Sequence, residues 1–318
     1  MDYDQTKATA FLRLKANDGA HMIDKLEFLL AVARERHFGR AAEACGVAQP
    51  TLSGGIKHLE EALGVILIRR GSRFLGFTIE GERVLEWARR IVSDVRALKH
   101  DVESLKHGLT GHLRIAAIPT ALPVIAALTT PFHARYPKVR YSILSRSSEQ
   151  ISELLANLEI DIGITYLDNE PLGRVSTIPL YQEKYCLFVS QDSALAGKSS
   201  ATWADVANIP LCLLTPDMQN RRIIDLNLAQ SGVAQSTTLE SDSLVVLFTH
   251  ILTGQWASIM PEVMTRMFDL TDKLTSIPIM DTDALYTVGL IAGPREPLSP
   301  LVSAIMIEAR RASTIPTK

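Results

Sequence analysis

The sequence predicts an α + α/β multidomain chain, and three observations predict it. Up to residue 64, helical patterns flank a glycine turn; between residues 84 and 105, apolar residues repeat with a heptad period; beyond residue 111, short apolar runs alternate with helical stretches. At 318 residues the chain exceeds one ordinary domain. Its 47% hydrophobic and 21% charged residues are globular proportions, neither disordered nor membrane-like. No apolar run reaches the roughly 18 residues that a membrane span needs. Residues 1–21 mix Asp2, Asp4, Lys7, Arg13, Lys15 and Asp18 and match neither a secretory nor a mitochondrial leader, so the expected compartment is the cytoplasm. These 21 residues read as a disordered extension or as the product of a start codon chosen too far upstream.

Apolar residues Leu26, Leu29, Leu30 and Ala33 recur at helical spacing from Ile23 to Arg36. A short helix over Arg40–Ala44 follows, then a tight turn at Cys45-Gly46-Val47-Ala48. Pro50 opens a third helix that Gly64 stops. Helix, glycine turn and helix together form a helix-turn-helix pattern. The first turns of the third helix offer Gln49, Thr51, Ser53 and Lys57. Glutamine matches the N6/N7 edge of adenine, Ser and Thr reach base edges or phosphate, and lysine neutralises phosphate; an ordinary polar helix face is the alternative. The apolar runs 65–68 and 74–77 bracket Arg69-Arg70-Gly71-Ser72-Arg73, which predicts a hairpin, or wing, with arginines at its tip. Within 48–74 the charged residues are Lys57, Arg69, Arg70 and Arg73 against Glu60 and Glu61. That patch is compatible with a polyanionic partner or with a solvated face.

Thr78 is a plausible N-cap for a helix running to about Lys106. Val84, Ala88, Ile91, Val95, Leu98, Val102 and Leu105 alternate four and three apart, a coiled-coil seam. A helix of about 40 Å with one narrow apolar stripe needs a partner, either a second copy or the chain's own core.

After Gly108–Gly111 the runs 113–118, 139–144, 160–164, 186–190, 211–214, 257–260 and 286–291 predict strands between helices, hence a mostly parallel sheet covered on both faces. Hydroxyls cluster at the strand-to-helix junctions: Thr120, Ser147, Ser148, Thr165 and Thr215, with a capping-box spacing at Ser147–Gln150. Ligands of open α/β sheets bind at such ends, where free N–H groups favour anions; an ordinary helix cap is the alternative for each hydroxyl.

The stretches Phe38–Ala42, Val47–Ser53, Leu59–Gly64 and Phe77–Gly81 closely resemble the LysR-type transcriptional regulators, and a looser likeness continues to the C-terminus from Met22 onward. The resemblance implies a winged helix-turn-helix over 22–78 whose DNA contacts come from Gln49, Pro50, Thr51, Ser53, Lys57, Arg69, Arg70 and Arg73. It implies a dimerisation helix over 79–107 and a two-lobed, periplasmic-binding-protein-like effector domain, with one lobe from 112–182 and 285–318 and the other from 183–284. Crossings are expected near Tyr181–Lys184 and Ala284–Tyr286. Thr120, Ser147 or Ser148, and Thr215 match positions lining the interlobe cleft, and Arg146 and Thr165 join them as candidates for a small, anionic effector. The implied partners are promoter DNA, a second copy in a homodimer or homotetramer, and RNA polymerase.

Departures from the family pattern stand at Gly39 and Ala48, where helix-capping Ser or Thr is usual, and at Gly54-Gly55 in the third helix. The glycines suggest either a close approach to phosphate or tolerated drift. Cys45, Cys186 and Cys212 read as reduced core thiols, against a peroxide-sensing Cys186/Cys212 pair. No catalytic motif occurs and the eight histidines offer no metal-ligand spacing, so neither enzyme activity, metal nor cofactor is expected. A periplasmic solute-binding protein and an enzyme acting on a small acid are the competing readings. Site-specific DNA binding separates the regulator from both.

Overall fold

The computed structural model describes residues 22–69, 74–168, 171–206, 209–232, 237–266, 273–280, 285–293 and 298–313. The extension at 1–21 and the wing residues Arg70 and Arg73 lie outside the described residues. The chain divides into two compact units, one ending at Val102 and the other beginning at Glu103.

In the first unit, α1 (22–35) precedes α2 (Phe38–Ala44), α3 (Gln49–Leu63) and α4 (Ile79–His107). Leu26, Leu29, Val32, Ala41, Ala42, Leu52, Ile56 and Leu59 are buried among them. The turn closes α2 through bonds from Gly46 N to Glu43 O and from Val47 N to Ala42 O, with Gly46 at φ 67°. Gly64, at φ 68°, stops α3 as its sequence position predicts. Helix α2 starts at Phe38, two residues before the expected Arg40, because His37 caps it: Nδ1 accepts from Gly39 N and Arg40 N. The cap missing at residue 39 is thus supplied by residue 37, and Gly39 leaves room for the ring, since a Cβ there would sit 3.0 Å from it. Ala48 makes no side-chain cap.

The wing is less regular than expected. Its described part holds one antiparallel bridge, Ile68 to Phe77, and a bond from Arg69 N to Gly76 O. Side chains fasten it instead. Phe74 packs edge-on against Phe38 and Phe77, and the Glu60 carboxylate accepts from Leu67 N and Ile68 N. Thr78 caps α4 by accepting from Gly81 N at 2.9 Å. A Cβ on Gly81 would fall 2.1 Å from Leu67 O, so this crossing of wing root and helix requires glycine.

Among the described residues the second unit holds a five-stranded, a three-stranded and a two-stranded sheet. The first has the order β2 (Val139–Ser145), β1 (Gly111–Ala117), β3 (Ile162–Tyr166), β10 (Tyr286–Ala292), β4 (Ser176–Glu183). In the other lobe β5 (Tyr185–Ser190) lies between β8 (Ser258–Pro261) and β9 (Leu274–Pro278). The β6 (Cys212–Leu214) and β7 (Leu239–Ser241) pair joins that group through a parallel bridge from Leu211 to Ala257. Helices α5 (Leu122–Arg135), α6 (Ser148–Ala156) and α9 (Pro300–Ala312) accompany the first sheet, while α7 (Gln219–Gln230) and α8 (Leu244–Ile251) accompany the second.

The sheets are mixed rather than mostly parallel. β10 is antiparallel to β3 and β4, and β5 is antiparallel to β8 and β9. The reason is the double crossing: β4 carries the chain out of the first lobe at Lys184, and β10 brings it back beside β4 in the opposite direction. β4 itself escapes sequence reading because Pro179 interrupts it. Proline is tolerated there at a register shift beside Gly289, where a Cβ would sit 2.6 Å from Ile178 O.

Candidate nucleic-acid interface and interlobe site

On α3, Leu52, Ile56 and Leu59 turn inward, while Gln49, Pro50, Thr51 and Lys57 are exposed and Ser53 is half-buried. Arg69, at the near end of the wing, is exposed as well. Of the two acids in this stretch, Glu60 is buried under the wing, and Glu61 stays exposed 3.7 Å from Lys57. The outward surface is therefore more basic than the residue count suggests. The two glycines differ. A Cβ on Gly55 would lie 2.7 Å from the Phe28 ring of α1, so Gly55 serves helix packing, whereas a Cβ on Gly54 would meet nothing within 4 Å.

The heptad residues divide between two faces of α4. Ala88 is fully buried with Leu85 and Val92 in its own unit, so it is not part of a free seam. Ile91 (40%), Leu98 (62%), Val102 (44%) and Leu105 (82%) are exposed, with Val84 and Val95 half-buried at the margin. Trp87, 60% exposed, replaces Ala88 on the free arc, which is rotated away from the arc that its own domain covers. Arg96 pairs with Glu27 of α1 at 3.1 Å and holds that covered side in place.

Between the two lobes the structure joins some of the hydroxyls and separates others. Ser147 caps α6 in a full capping box with Gln150. Ser148 Oγ donates to Gln219 Oε1 at 2.8 Å and accepts from Thr165 Oγ1 at 3.0 Å. Gln219 Nε2 donates to Asp168 O, and the Asp168 carboxylate accepts from Thr287 N. Gln219 is the first residue of α7, so this bond ties one lobe to the other. Thr120 is fully buried in a 3-10 turn after β1, and its Oγ1 has no hydrogen-bond partner among the described residues. Arg146 is half-buried and donates to Ser145 O, and Thr215 is half-buried before α7.

Sequence reading missed the polar group at the crossing. Glu183, 2% exposed, accepts from Tyr166 OH at 2.7 Å and Tyr181 OH at 3.2 Å. Tyr185 OH lies 3.3 Å from Tyr166 OH and accepts from Asn220 Nδ2. Burial pushes the Glu183 carboxyl up to about 7, against the pull of the two tyrosine hydroxyls. The signal available in the sequence is a glutamate beside the lobe crossing with tyrosines at 181 and 185, two residues to either side. The thiols offer no comparable chemistry: burial raises Cys186 to about 12 and Cys212 to about 11. Among the described residues, no group of three His, Cys, Asp or Glu is placed to hold a metal, and no helix is long and apolar enough to cross a membrane.

The model of the bacterial regulatory helix-turn-helix protein, lysR family, matches residues 23–82, and that of the LysR substrate binding domain matches 106–313. The DNA-binding transcriptional dual regulator OxyR of Escherichia coli K12 is 30% identical over 277 residues, covering 87% of this chain and 90% of the relative. A hydrogen peroxide-inducible genes activator of Dickeya chrysanthemi is 29% identical over the same shares. A full-length cysteine variant of OxyR from Pseudomonas aeruginosa shares the fold, with a TM-score of 0.70 at 24% identity over 92% of this chain and 98% of that one. CbnR, solved with its target DNA, gives a TM-score of 0.58 at 21% identity over 92% and 99%. The family models cover both units and the curated relatives run nearly end to end, so the chain belongs to the LysR family of DNA-binding transcriptional regulators, which carry an effector-binding domain and are not enzymes.

Proposed function

We propose that the chain regulates transcription as a dimer on promoter DNA, under control of a small anionic metabolite held between its lobes. Gln49, Pro50, Thr51 and Ser53 read or approach base edges, while Lys57, Arg69, Arg70 and Arg73 neutralise backbone phosphate. The observation that carries this reading is the division of α3: an apolar face of Leu52, Ile56 and Leu59 buried in the helical core, and an outward face of Gln49, Thr51 and Lys57 from which Glu60 is withdrawn. Two copies associate through Trp87, Ile91, Leu98, Val102 and Leu105, with Val84 and Val95 at the margin. That pairing sets two recognition helices against two half-sites. We assign the DNA-binding domain to 22–78, the linker helix to 79–107, and the lobes to 112–182 with 285–318 and to 183–284. We further propose a dimer of such dimers, contact with RNA polymerase and a cytoplasmic location, as the family resemblance implies.

The effector site takes Thr120, Arg146, Ser147, Ser148, Thr165 and Thr215. Its support is the N-terminus of α6, where free N–H groups favour an anion, together with the buried, unpartnered hydroxyl of Thr120. Effector binding shifts DNA contacts only through a difference in affinity for the two arrangements of the dimer. A peroxide response, which the names of the relatives suggest, is the second reading. It is disfavoured because Cys186 and Cys212 lie in buried strands with raised thiol pKa, and the thiolate is the reactive form.

Fluorescence anisotropy with DNA upstream of the chain's own gene, beside a scrambled duplex and at two salt concentrations, tests the reading. We expect sequence-dependent binding that weakens with salt. Lys57→Ala should weaken binding to both duplexes alike, and Gln49→Ala should also relax the preference, by about 1–3 kcal/mol at one base pair. A Gln49→Ala protein with unchanged preference would remove the base-readout assignment. Equal, weak binding across genomic fragments would remove the regulator reading for this DNA surface.

A further inference from the structure

The carboxamide of Gln219 fills the polar part of the interlobe cleft from within the chain. Gln219 opens α7 in the second lobe, and both partners of its side chain belong to the first. Its orientation follows from atoms that can only accept. The Asp168 carbonyl oxygen, 3.1 Å away, takes Nε2, so Oε1 faces Ser148 Oγ at 2.8 Å. Oε1 also only accepts, which commits the Ser148 proton to it and leaves Thr165 Oγ1 as the donor to Ser148 at 3.0 Å. Gln219, Ser148 and Thr165 are 3%, 4% and 0% exposed, so no ligand reaches the two hydroxyls while this amide is seated.

Both sides of the contact are held without Gln219. Ser148 opens α6 behind the Ser147 capping box. The Asp168 segment is pinned to β10 by Leu167 N to Thr287 O and by Thr287 N to the Asp168 carboxylate, each at 2.8 Å. In the second lobe α7 is fastened by its next two residues: Asn220 bonds Tyr185 OH, and Arg221 donates to Leu214 O and Glu240. Donor and acceptor are thus positioned in advance, and the amide is a tethered occupant of the slot between them.

We propose that Ser148 Oγ and Asp168 O form a binding slot for a primary carboxamide, filled in this structure by Gln219, which latches the lobes together until a ligand amide displaces it. The slot selects a neutral amide over a carboxylate. Asp168 offers an acceptor where the amide presents its NH2, and a carboxylate there would set acceptor against acceptor. The proposal rests on the interlobe site of the proposed function: it gives Ser148 and Thr165 the neutral part of an effector and leaves the anion to Arg146 and the α6 N-terminus. Its test uses neither DNA nor effector, so its failure and that of the proposed function are read separately.

Gln219→Ala removes a fragment with the heavy atoms of acetamide, which makes acetamide the probe. Amide hydrogen exchange on the full chain follows each lobe. In Gln219→Ala we expect exchange to quicken about tenfold at the start of α6 and at Leu167, Asp168 and Thr287, the scale of two lost hydrogen bonds, while residues 223–230 of α7 keep their protection. Excess acetamide should restore wild-type protection in this variant, and saturation-transfer NMR should detect acetamide on it but not on wild type, whose slot is filled. Acetate, equal in size but without the donor, should do neither. Ser148→Ala, which breaks the latch from the other lobe and keeps Gln219, should quicken the same amides without rescue by acetamide; it also serves if Gln219→Ala does not fold. Unchanged exchange in the variants, failure of acetamide to rescue Gln219→Ala, or equal rescue by acetate would overturn the proposal.

Discussion

Two adjacent glycines on α3 have opposite roles. Gly55 fits against the Phe28 ring and Gly54 faces open space. Gly54→Ala should therefore raise stability by roughly 0.5–1 kcal/mol through helix propensity alone, while Gly55→Ala should lower it, because the ring and α1 must shift. Urea denaturation of the two variants checks this, and equal effects would refute the packing role of Gly55. Neither role was legible in the sequence, since both follow from where α1 lies. The same holds for Glu60, whose carboxylate serves two backbone amides of the wing rather than the surface charge. Glu183 has a pH signature of its own. Its folded pKa, about 7, lies above the usual 4.5. The stability it contributes by holding its proton is complete below about pH 4.5 and is lost as pH rises through about 7, leaving a penalty on the order of 3 kcal/mol above that. Glu183→Gln should thus be more stable than wild type at about pH 8, with the advantage shrinking as pH falls toward about 5. Denaturation midpoints at both pH values measure it; a constant difference would show that Glu183 titrates like an exposed carboxyl.

At the scale of elements, α4 shows what periodicity reveals and what it conceals. The heptad spacing correctly marks a long amphipathic helix, but a helix carries two apolar arcs if two neighbours claim it. Leu85, Ala88 and Val92 belong to the chain's own core, and Trp87, Ile91, Leu98 and Leu105 form the arc left uncovered. Leu98→Asp should shift the chain toward monomer in sedimentation while leaving its secondary structure intact. Ala88→Asp should instead unfold the N-terminal unit, by burying an unpaired charge. If Leu98→Asp leaves the assembly unchanged, association runs through another surface. Strand β4 marks the opposite case, an element hidden because Pro179 breaks its pattern and made possible by the register shift opposite Gly289.

At the scale of the molecule, the two lobes are joined by a chain that crosses at Lys184 and returns into β10. That route makes the sheets mixed, and it gathers Tyr166, Glu183, Tyr185 and Asn220 from β3, β4, β5 and α7 at one place. The sequence by itself determined the helix-turn-helix, the long helix and seven of the ten strands among the described residues, but not their order with helices, since β3 to β5 and β8 to β10 follow one another without an α-helix between them; propensity, caps and apolar period act over a few neighbouring residues. It also marked the residues that α3 turns outward. Only the tertiary structure decided which arc of α4 stays free, which acid leaves the outward surface of α3, and which side chains meet between the lobes. Those outcomes depend on residues far apart in sequence, and burial, which sets both their contacts and their protonation, exists only once the chain has packed.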